Sequence, residues 1–464
     1  MLVHRYAGIA LGLLMLLWFA SGVVMLFVRW PEVHDDQRAA GQPAIVWTGC
    51  CRFGDAANGK PVERAVVEDR AGRPVLRADG QVIDLATGAP VTQVSTREAT
   101  RVAAAYAHGN GIAGRPGSPR VITRDQWTVV GGLDKRRPFW TFRFDDPRHT
   151  DVYVSARTGQ VAQVTDGPGR VLAWLGPIPH WLYPAILRQD GKLWTQVVVW
   201  TSLAGTFLTL TGLYLGIVAW RPWRDRRVTP YRGLMAWHHI AGLLDGMLTL
   251  TWVASGLVSM NPWGLLESGP DAQSQRLTGE ITFGDMKAAV AAAAQANVTA
   301  RQLRAAPFEG RLYLMADGAR LDAAGRPAPL SPQTLATAAK RLGPIDRAET
   351  ITREDAYYFG HHEAVTLPAY RVELKGGVRF YLDPASGQVL SRVDRNDKGY
   401  RWLHEGLHRL DFIRGFDRGA AWAAAMVALL VYAGVGVATG VWLGFRRAGA
   451  DLSRRAKTKA PKPG

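Results

Sequence analysis

Four apolar segments constrain this chain more than any other feature. Residues 6–28, 193–220 and 420–445 contain no charged residue, and residues 240–266 contain only Asp245. Each segment exceeds the roughly 20 residues that an α-helix needs to cross the apolar core of a bilayer. The sequence therefore predicts transmembrane helices, with their flanks, at residues 1–29, 193–220, 237–261 and 420–445.

The positive charge of the chain is concentrated beside these segments. Of a formal net charge of +17, the linker 221–236 contributes +4 and the tail 446–464 contributes +6. Basic residues next to membrane spans mark the cytoplasmic side. We therefore predict that both termini and the linker are cytoplasmic, that residues 30–192 and 262–419 are exported, and that the chain binds the lipid bilayer and not nucleic acid. The first segment is too long for the core of a signal peptide, so we expect it to be retained.

The chain repeats itself along most of its length. An offset of 234 residues relates the first and third apolar segments, and an offset of 228 relates the later parts of the two halves. The first offset matches His4/His238, Gly8/Gly242, Gly12/Gly246, Trp18/Trp252 and Ser21/Ser255, and the second matches Tyr153/Tyr381, Gly159/Gly387, His180/His408, Thr211/Thr439 and Gly212/Gly440. Such extended self-similarity predicts two tandem units, each built as helix, exported domain and helix, with the same orientation in the membrane.

The exported segments have α+β patterns. Residues 76–91, 151–164 and 378–393 read as strand, glycine-centred turn and strand. Residues 95–108, 283–297 and 331–342 are rich in alanine and begin with helix-starting residues, so they are predicted to be helical. The fold class is therefore a four-helix membrane protein with two exported α+β domains.

Three short motifs carry a resemblance to known proteins. The pattern Y-x-x-x-x-x-G-Q-V, beginning at Tyr153 and Tyr381, resembles PepSY modules. The motif H-x-x-x-G begins one helix of each unit and T-G-x-x-L-G ends the other, at residues 211–216 and 439–444; both resemble the PepSY-associated transmembrane-helix family. The resemblance covers nearly the whole chain. It implies a bacterial inner-membrane protein with periplasmic PepSY domains, of the kind that includes heme-binding siderophore-iron reductases. PepSY modules also occur in propeptides that inhibit peptidases.

Four histidines are the candidate ligands of a cofactor. His4 and His238 lie at the cytoplasmic ends of two predicted spans, whereas His180 and His408 precede the other two spans on the periplasmic side. Imidazole is a suitable axial ligand for heme iron. The two matched pairs predict two b-type hemes, one near each membrane face. The alternative is that these histidines anchor helix ends at the interface.

Small residues near the first pair predict a groove for a flat macrocycle. Gly8, Gly12, Gly242 and Gly246 follow the histidines by one and two helical turns on nearly the same face. On that face, Trp18 and Trp252 lie about 21 Å deeper and would line the space between two hemes. Close packing between helices is the alternative role for such glycines.

A zinc-protease motif is a competing interpretation of the second half. The run His404–His408 fits H-E-x-x-H, in which two histidines bind zinc and Glu405 acts as a base. Gly406 weakens the helix that this motif needs, and no third ligand is evident. The heme interpretation is favoured, with His404 as an alternative ligand to His408.

Other polar residues receive weaker assignments. Asp245 is costly inside a membrane helix, so it is predicted to hydrogen-bond near a heme or relay a proton, or to be a solvated or arginine-paired carboxylate near the cytoplasmic surface. His239 is its candidate partner or a spare ligand. The pair His361–His362 is a candidate metal or substrate site or an exposed loop. Cys50 and Cys51 are predicted not to bridge each other, and no role is assigned to them.

The predicted function is electron transfer across the membrane. Electrons would pass from a heme on His4 and His238 to a heme on His180 and His408, and then to a periplasmic acceptor, for which the resemblance suggests a ferric siderophore. The cytoplasmic segments are too short for a flavin or nicotinamide domain, so a separate cytoplasmic reductase or a membrane quinol would be the donor. The alternative is a non-catalytic scaffold or sensor whose PepSY-like domains bind a peptide or partner.

Overall fold

The fold is given by a computed structural model, which describes residues 1–54, 59–220, 229–360, 364–412 and 419–459. The chain forms two compact units. The helical unit comprises residues 1–30, 169–267 and 399–464, and the sheet unit comprises residues 31–168 and 268–398.

Helices account for most of the helical unit and cover the sheets of the sheet unit. They are α1 (Leu2–Met25), α2 (Asp35–Ala40), α3 (Thr96–Gly109), α4 (Gly167–Leu175), α5 (Pro177–His180), α6 (Ala185–Arg188), α7 (Gly191–Ala219), α8 (Leu234–Ser259), α9 (Ala272–Thr278), α10 (Phe283–Gln295), α11 (Pro332–Ala339), α12 (Arg395–Tyr400), α13 (Leu407–Arg409) and α14 (Ala420–Lys459). Short 3₁₀ turns occupy Gly131–Arg136, Pro262–Gly264 and Lys340–Leu342, and a π-helical turn occupies Arg401–Gly406.

Among the described residues, four helices are long and apolar enough to cross a membrane: α1, α7, α8 and α14 as far as Asp451. Large apolar side chains such as Leu244, Phe207 and Trp442 point outward from them and are exposed. Exposed apolar side chains on a helix bundle suit a lipid environment, in which every backbone hydrogen bond lies within its own helix.

The four long helices pack closely through glycines. A Cβ atom added at Gly12 of α1 would collide with Val441 of α14, and one added at Gly246 of α8 would collide with Leu213 of α7. The glycines thus let the paired helix backbones approach each other. Farther along, the ring of Trp252 contacts Phe19 edge-on with the centroids 5.7 Å apart.

Three antiparallel sheets form the sheet unit. Their strands are β1 (Ala65–Asp69), β2 (Pro74–Ala78), β3 (Gln81–Asp84), β4 (Arg120–Ile122), β5 (Phe139–Arg143), β6 (Asp151–Ser155), β7 (Val161–Thr165), β8 (Gln302–Ala305), β9 (Leu314–Ala316), β10 (Ala319–Leu321), β11 (Ile345–Ile351), β12 (Ala369–Leu374), β13 (Arg379–Leu382) and β14 (Val389–Val393). Two sheets are four-stranded meanders, β4-β5-β6-β7 and β11-β12-β13-β14, and the third has the order β10-β9-β8-β1-β2-β3.

The six-stranded sheet joins the two segments that the sequence analysis treated as separate domains. Antiparallel pairing of β1 with β8 places Val67 opposite Leu303. Both are fully buried in one core that also contains Met286. The two segments therefore share a sheet and a core, because β1 and β8 satisfy each other's backbone groups at what would otherwise be open edges.

The two cysteines depart from their prediction. Cys50 and Cys51 are joined by a disulfide, although neighbouring cysteines were expected to remain unbridged. Their loop packs both side chains against the core of the six-stranded sheet, beside Trp47 and Phe53.

Candidate functional site

His4 and His238 occupy equivalent surroundings near the starts of α1 and α8. The Nδ1 atom of His4 lies 3.2 Å from the Leu208 carbonyl oxygen and 3.4 Å from the Thr211 hydroxyl of α7. The Nδ1 atom of His238 lies 3.2 Å from the Gly436 carbonyl oxygen and 3.3 Å from the Thr439 hydroxyl of α14. Each imidazole is thus held by a carbonyl and by the hydroxyl three residues later in the chain.

His180 and His408 are held in the same way near the other ends of α1 and α8. The Nδ1 atom of His180 lies 3.2 Å from both the Trp18 carbonyl oxygen and the Ser21 hydroxyl. His408 bonds to the backbone of Trp252, and its Nδ1 atom lies 3.0 Å from the Ser255 hydroxyl. We refer to this arrangement of carbonyl and i+3 hydroxyl around a histidine Nδ1 as the histidine clamp; it occurs at His4, His180, His238 and His408.

The chemistry of the clamp fixes which nitrogen carries the proton. A carbonyl oxygen can only accept, so Nδ1–H must donate to it. Each clamp hydroxyl donates its own proton to a backbone carbonyl of its helix, as in Ser255 to Trp252 at 3.0 Å and Thr439 to Gly436 at 2.7 Å. The hydroxyl oxygen is therefore left to accept from Nδ1–H as well. The lone pair of the neutral imidazole then lies on Nε2.

No hydrogen bond engages Nε2 of these four histidines within the described part of the chain. An Nδ1–H held by a carbonyl and an Nε2 with a lone pair are what a metal-ligating histidine requires of its surroundings. Burial lowers the pKa of His180 to about 4, and burial together with neighbouring His180 lowers the pKa of His408 to about 3. Both imidazoles are consequently neutral at physiological pH.

The structure brings His180 and His408 together. Their ring centroids are 6.1 Å apart, with an angle of 73° between the planes. Because an imidazole nitrogen binds a transition metal at about 2 Å, two imidazoles on one metal have centroids roughly 6 Å apart. The two rings are therefore close enough that both could bind one metal ion.

The other pair, His4 and His238, lies against glycines of the neighbouring helices. The rings lie against Gly212 and Gly440, where an added Cβ would come within 2.7 Å of His4 and 2.6 Å of His238. From His4 to Ser21, α1 rises about 25 Å at 1.5 Å per residue. The two histidine pairs are therefore placed near opposite ends of the helical unit.

The predicted glycine groove divides into two kinds of position. The space beside Gly12 is occupied by Val441, and the space beside Gly246 is occupied by Leu213, so these two glycines serve helix packing. An added Cβ at Gly8 would be 3.9 Å from Leu208, and nothing lies within 4 Å of one at Gly242. Of these four glycines, only Gly8 and Gly242 therefore leave room for a Cβ atom.

The two tryptophans contribute carbonyl oxygens to the clamps, and their rings differ in surroundings. Trp252 is buried against Phe19 and Met426, whereas Trp18 packs beside Met15, Leu208 and Val253. Both rings lie between the levels of the two histidine pairs.

Both histidines and the glutamate of the H-E-x-x-H run have hydrogen-bond or ion-pair partners. Glu405 forms an ion pair with Arg401 at 3.4 Å, and the Nδ1 atom of His404 lies 3.1 Å from the Ser255 carbonyl oxygen. The ring of His404 lies 5.4 Å from that of His408. Among the described residues, no cluster of three or more His, Cys, Asp or Glu side chains could hold a metal ion.

The remaining candidates are not members of a clamp, or they lie outside the described residues. His239 is buried with Nε2 2.9 Å from the Gly216 carbonyl oxygen, and its Nδ1 has no hydrogen-bond partner. Asp245 is buried in α8, and a Cβ at Gly436 of α14 would lie 3.4 Å from its Oδ2. His361 and His362 lie outside the described residues.

Sequence reasoning missed the partners that hold the histidines. In the sequence, Ser21, Ser255, Thr211 and Thr439 stand out only as matched positions of the repeat. The available signal was that a hydroxyl residue precedes a glycine at all four places. No family model and no curated protein matches the chain.

Proposed function

We propose that this protein is an inner-membrane heme-dependent reductase that passes electrons from the cytoplasmic side to a periplasmic acceptor. In this proposal the two halves are tandem repeats, the sheet unit is periplasmic and consists of PepSY-like modules, and each histidine pair holds one b-type heme. The acceptor is a ferric siderophore, and the donor is a cytoplasmic reductase or quinol.

One observation carries the proposal: four matched histidines share one clamp. An interfacial anchor needs no fixed tautomer, whereas an iron ligand needs a neutral imidazole with its Nε2 lone pair directed at the metal. The 6.1 Å separation of the His180 and His408 rings adds a distance that suits bis-histidine ligation. The residues present therefore fit heme iron.

The roles of the residues follow from the clamp. His4 and His238 would hold one heme, and His180 and His408 would hold the other. Heme iron with two imidazole ligands supplies one-electron transfer. The clamp hydroxyls and carbonyls fix the ring orientation and increase the basicity of Nε2. Gly8 and Gly242 leave space beside the first pair.

A reduction experiment tests the reductase activity itself. The purified, dithionite-reduced protein, freed of excess dithionite, is mixed with a ferric hydroxamate chelate, and heme oxidation is followed by absorbance while iron(II) is trapped with a colorimetric chelator. We expect heme oxidation and iron(II) formation in equal amounts. The gallium(III) form of the same chelate, which cannot be reduced under these conditions, is the control. If the ferric chelate oxidises the heme no faster than the gallium form does, this acceptor class is wrong.

A further inference from the structure

The sheet unit contains a cavity of about 150 Å³ that the proposed electron transfer does not use. Its floor is one face of the six-stranded sheet, with Glu68 and Arg70 from β1 and its continuation, Arg77 from β2 and Arg304 from β8. Tyr106 of α3 and the turn between β6 and β7 cover it. A cavity of this volume holds a molecule about the size of benzene.

Arg70 lines this cavity as a buried cation with unused donors. Its exposed fraction is 4%, and its Nε and Nη1 atoms have no hydrogen-bond partner. Its Nη2 atom is 3.5 Å from Glu98, a long contact. Leaving guanidinium donors buried and unpaired is costly, which favours a ligand that pairs with them.

The other half of the six-stranded sheet contains a position equivalent to that of Arg70, and there an apolar side chain fills the space. Asp79 accepts hydrogen bonds from the backbone of Glu63 and Arg64, and Asp317 does the same for Arg301 and Gln302, which gives an offset of 238. By this offset, Phe308 is the residue that corresponds to Arg70 in the other half of the sheet. Phe308 is buried against Gly387, as Arg70 lies against Gly159. An apolar ring thus closes one position, and an unpaired guanidinium occupies the other.

The acidic neighbours of Arg70 restrict the ligand. Glu68 is already engaged, since it accepts from Arg77 and, at 2.6 Å, from Gln42. Asp69 also lines the cavity, and its Oδ2 is buried without a hydrogen-bond partner. A ligand that satisfies both orphans must present an anion to Arg70 and a donor to Asp69, and a multiply charged phosphate would be repelled by Asp69.

We propose that this cavity binds a small hydroxycarboxylate, with its carboxylate on Arg70 and its hydroxyl donating to Asp69. The planar guanidinium matches a carboxylate with two parallel hydrogen bonds. Arg304, an exposed strand residue at the cavity, adds positive charge for the incoming anion. The site is independent of the heme proposal, because none of its residues belongs to the helical unit.

Calorimetric titration of the full-length protein in detergent with L-lactate, a hydroxycarboxylate with a single negative charge, tests this site. We expect saturable binding to wild type and at least about tenfold weaker binding to Arg70→Phe, which installs the residue found at the matching position. Arg70→Lys keeps the charge but loses the planar fork, so it should also weaken binding. Arg320→Lys is the matched control, because Arg320 is a buried arginine of the same sheet outside the cavity with unpaired nitrogens of its own.

Two further ligands separate the parts of the proposal. Propionate, which lacks the hydroxyl, should bind more weakly than lactate, and inorganic phosphate should not compete with lactate. Equal binding of propionate would overturn the assignment to Asp69, and effective competition by phosphate would overturn the carboxylate class. Unchanged lactate affinity in both folded Arg70 variants, or no binding to wild type, would overturn the site.

Discussion

Single hydroxyl groups determine the chemistry of the histidine clamp. We expect Ser255→Ala to weaken heme binding at His408 by about 10–100-fold, because the loss of an outer hydrogen-bond partner of a metal ligand has an effect of this size. Heme retained per chain after purification is the measurement. Thr251→Ala is the matched control, since the Thr251 hydroxyl bonds only to the Leu248 carbonyl of the same helix. Equal heme loss in both variants would contradict the clamp.

A half-buried carboxylate makes the stability of the sheet unit depend on pH. Burial alone would raise the pKa of Asp355, but hydrogen bonds from the Tyr357 backbone, Arg371 and Tyr381 lower it below its ordinary value. A carboxylate with a lowered folded-state pKa stabilises the fold above its unfolded pKa, and this stabilisation is lost as the pH falls through the folded pKa.

Asp355→Asn should therefore destabilise the protein at neutral pH by about 1–3 kcal/mol, because it leaves partly buried donors poorly paired. The deficit in stability should shrink as the pH falls below the unfolded-state pKa of about 4 towards the lowered folded-state pKa, where the wild-type carboxylate becomes protonated in the folded protein. Thermal unfolding between pH 3 and pH 7 measures both effects. Glu354→Gln is the control, since Glu354 accepts only an exposed backbone N–H from Gly360. If the loss of stability in Asp355→Asn does not change with pH, the charge of Asp355 does not contribute to the stability of the fold.

At the scale of helices, the glycines of α1 and α8 separate packing from cofactor space. Gly12→Ala should lower the stability of the protein by about 1–3 kcal/mol, because the added methyl group collides with the stiff side chain of Val441. Gly242→Leu should leave stability nearly unchanged but reduce heme content, because it fills the open space beside His238. Thermal unfolding and heme quantification of both variants check this. A stable, fully loaded Gly242→Leu variant would remove Gly242 from the heme site.

Elements that depend on local sequence could be predicted, and those that depend on distant contacts could not. The four long helices follow from runs of apolar residues, and the hairpins around Gly159 and Gly387 follow from alternation and turn residues. The pairing of β1 with β8 joins residues more than 200 positions apart, and no local pattern specifies it. For the same reason the clamp partners were missed: His4 and Thr211 meet only when α1 packs against α7.

At the scale of the whole molecule, four apolar helices carry two histidine pairs near their opposite ends. The pairs are separated by about 25 Å along α1, which approaches the thickness of the apolar core of a bilayer. Two cofactors at these levels would span most of the membrane. The number of hemes per chain is therefore the quantity on which the whole account depends.

The most direct test is the visible spectrum of the detergent-purified protein, oxidised and then reduced with dithionite, with heme quantified per chain. The account predicts sharp reduced α and Soret bands and about two hemes per chain. His408→Ala and His238→Ala should each remove one heme and leave the other. Protein purified from heme-sufficient cells without any heme would contradict the account and leave a non-catalytic membrane scaffold or sensor as the better description.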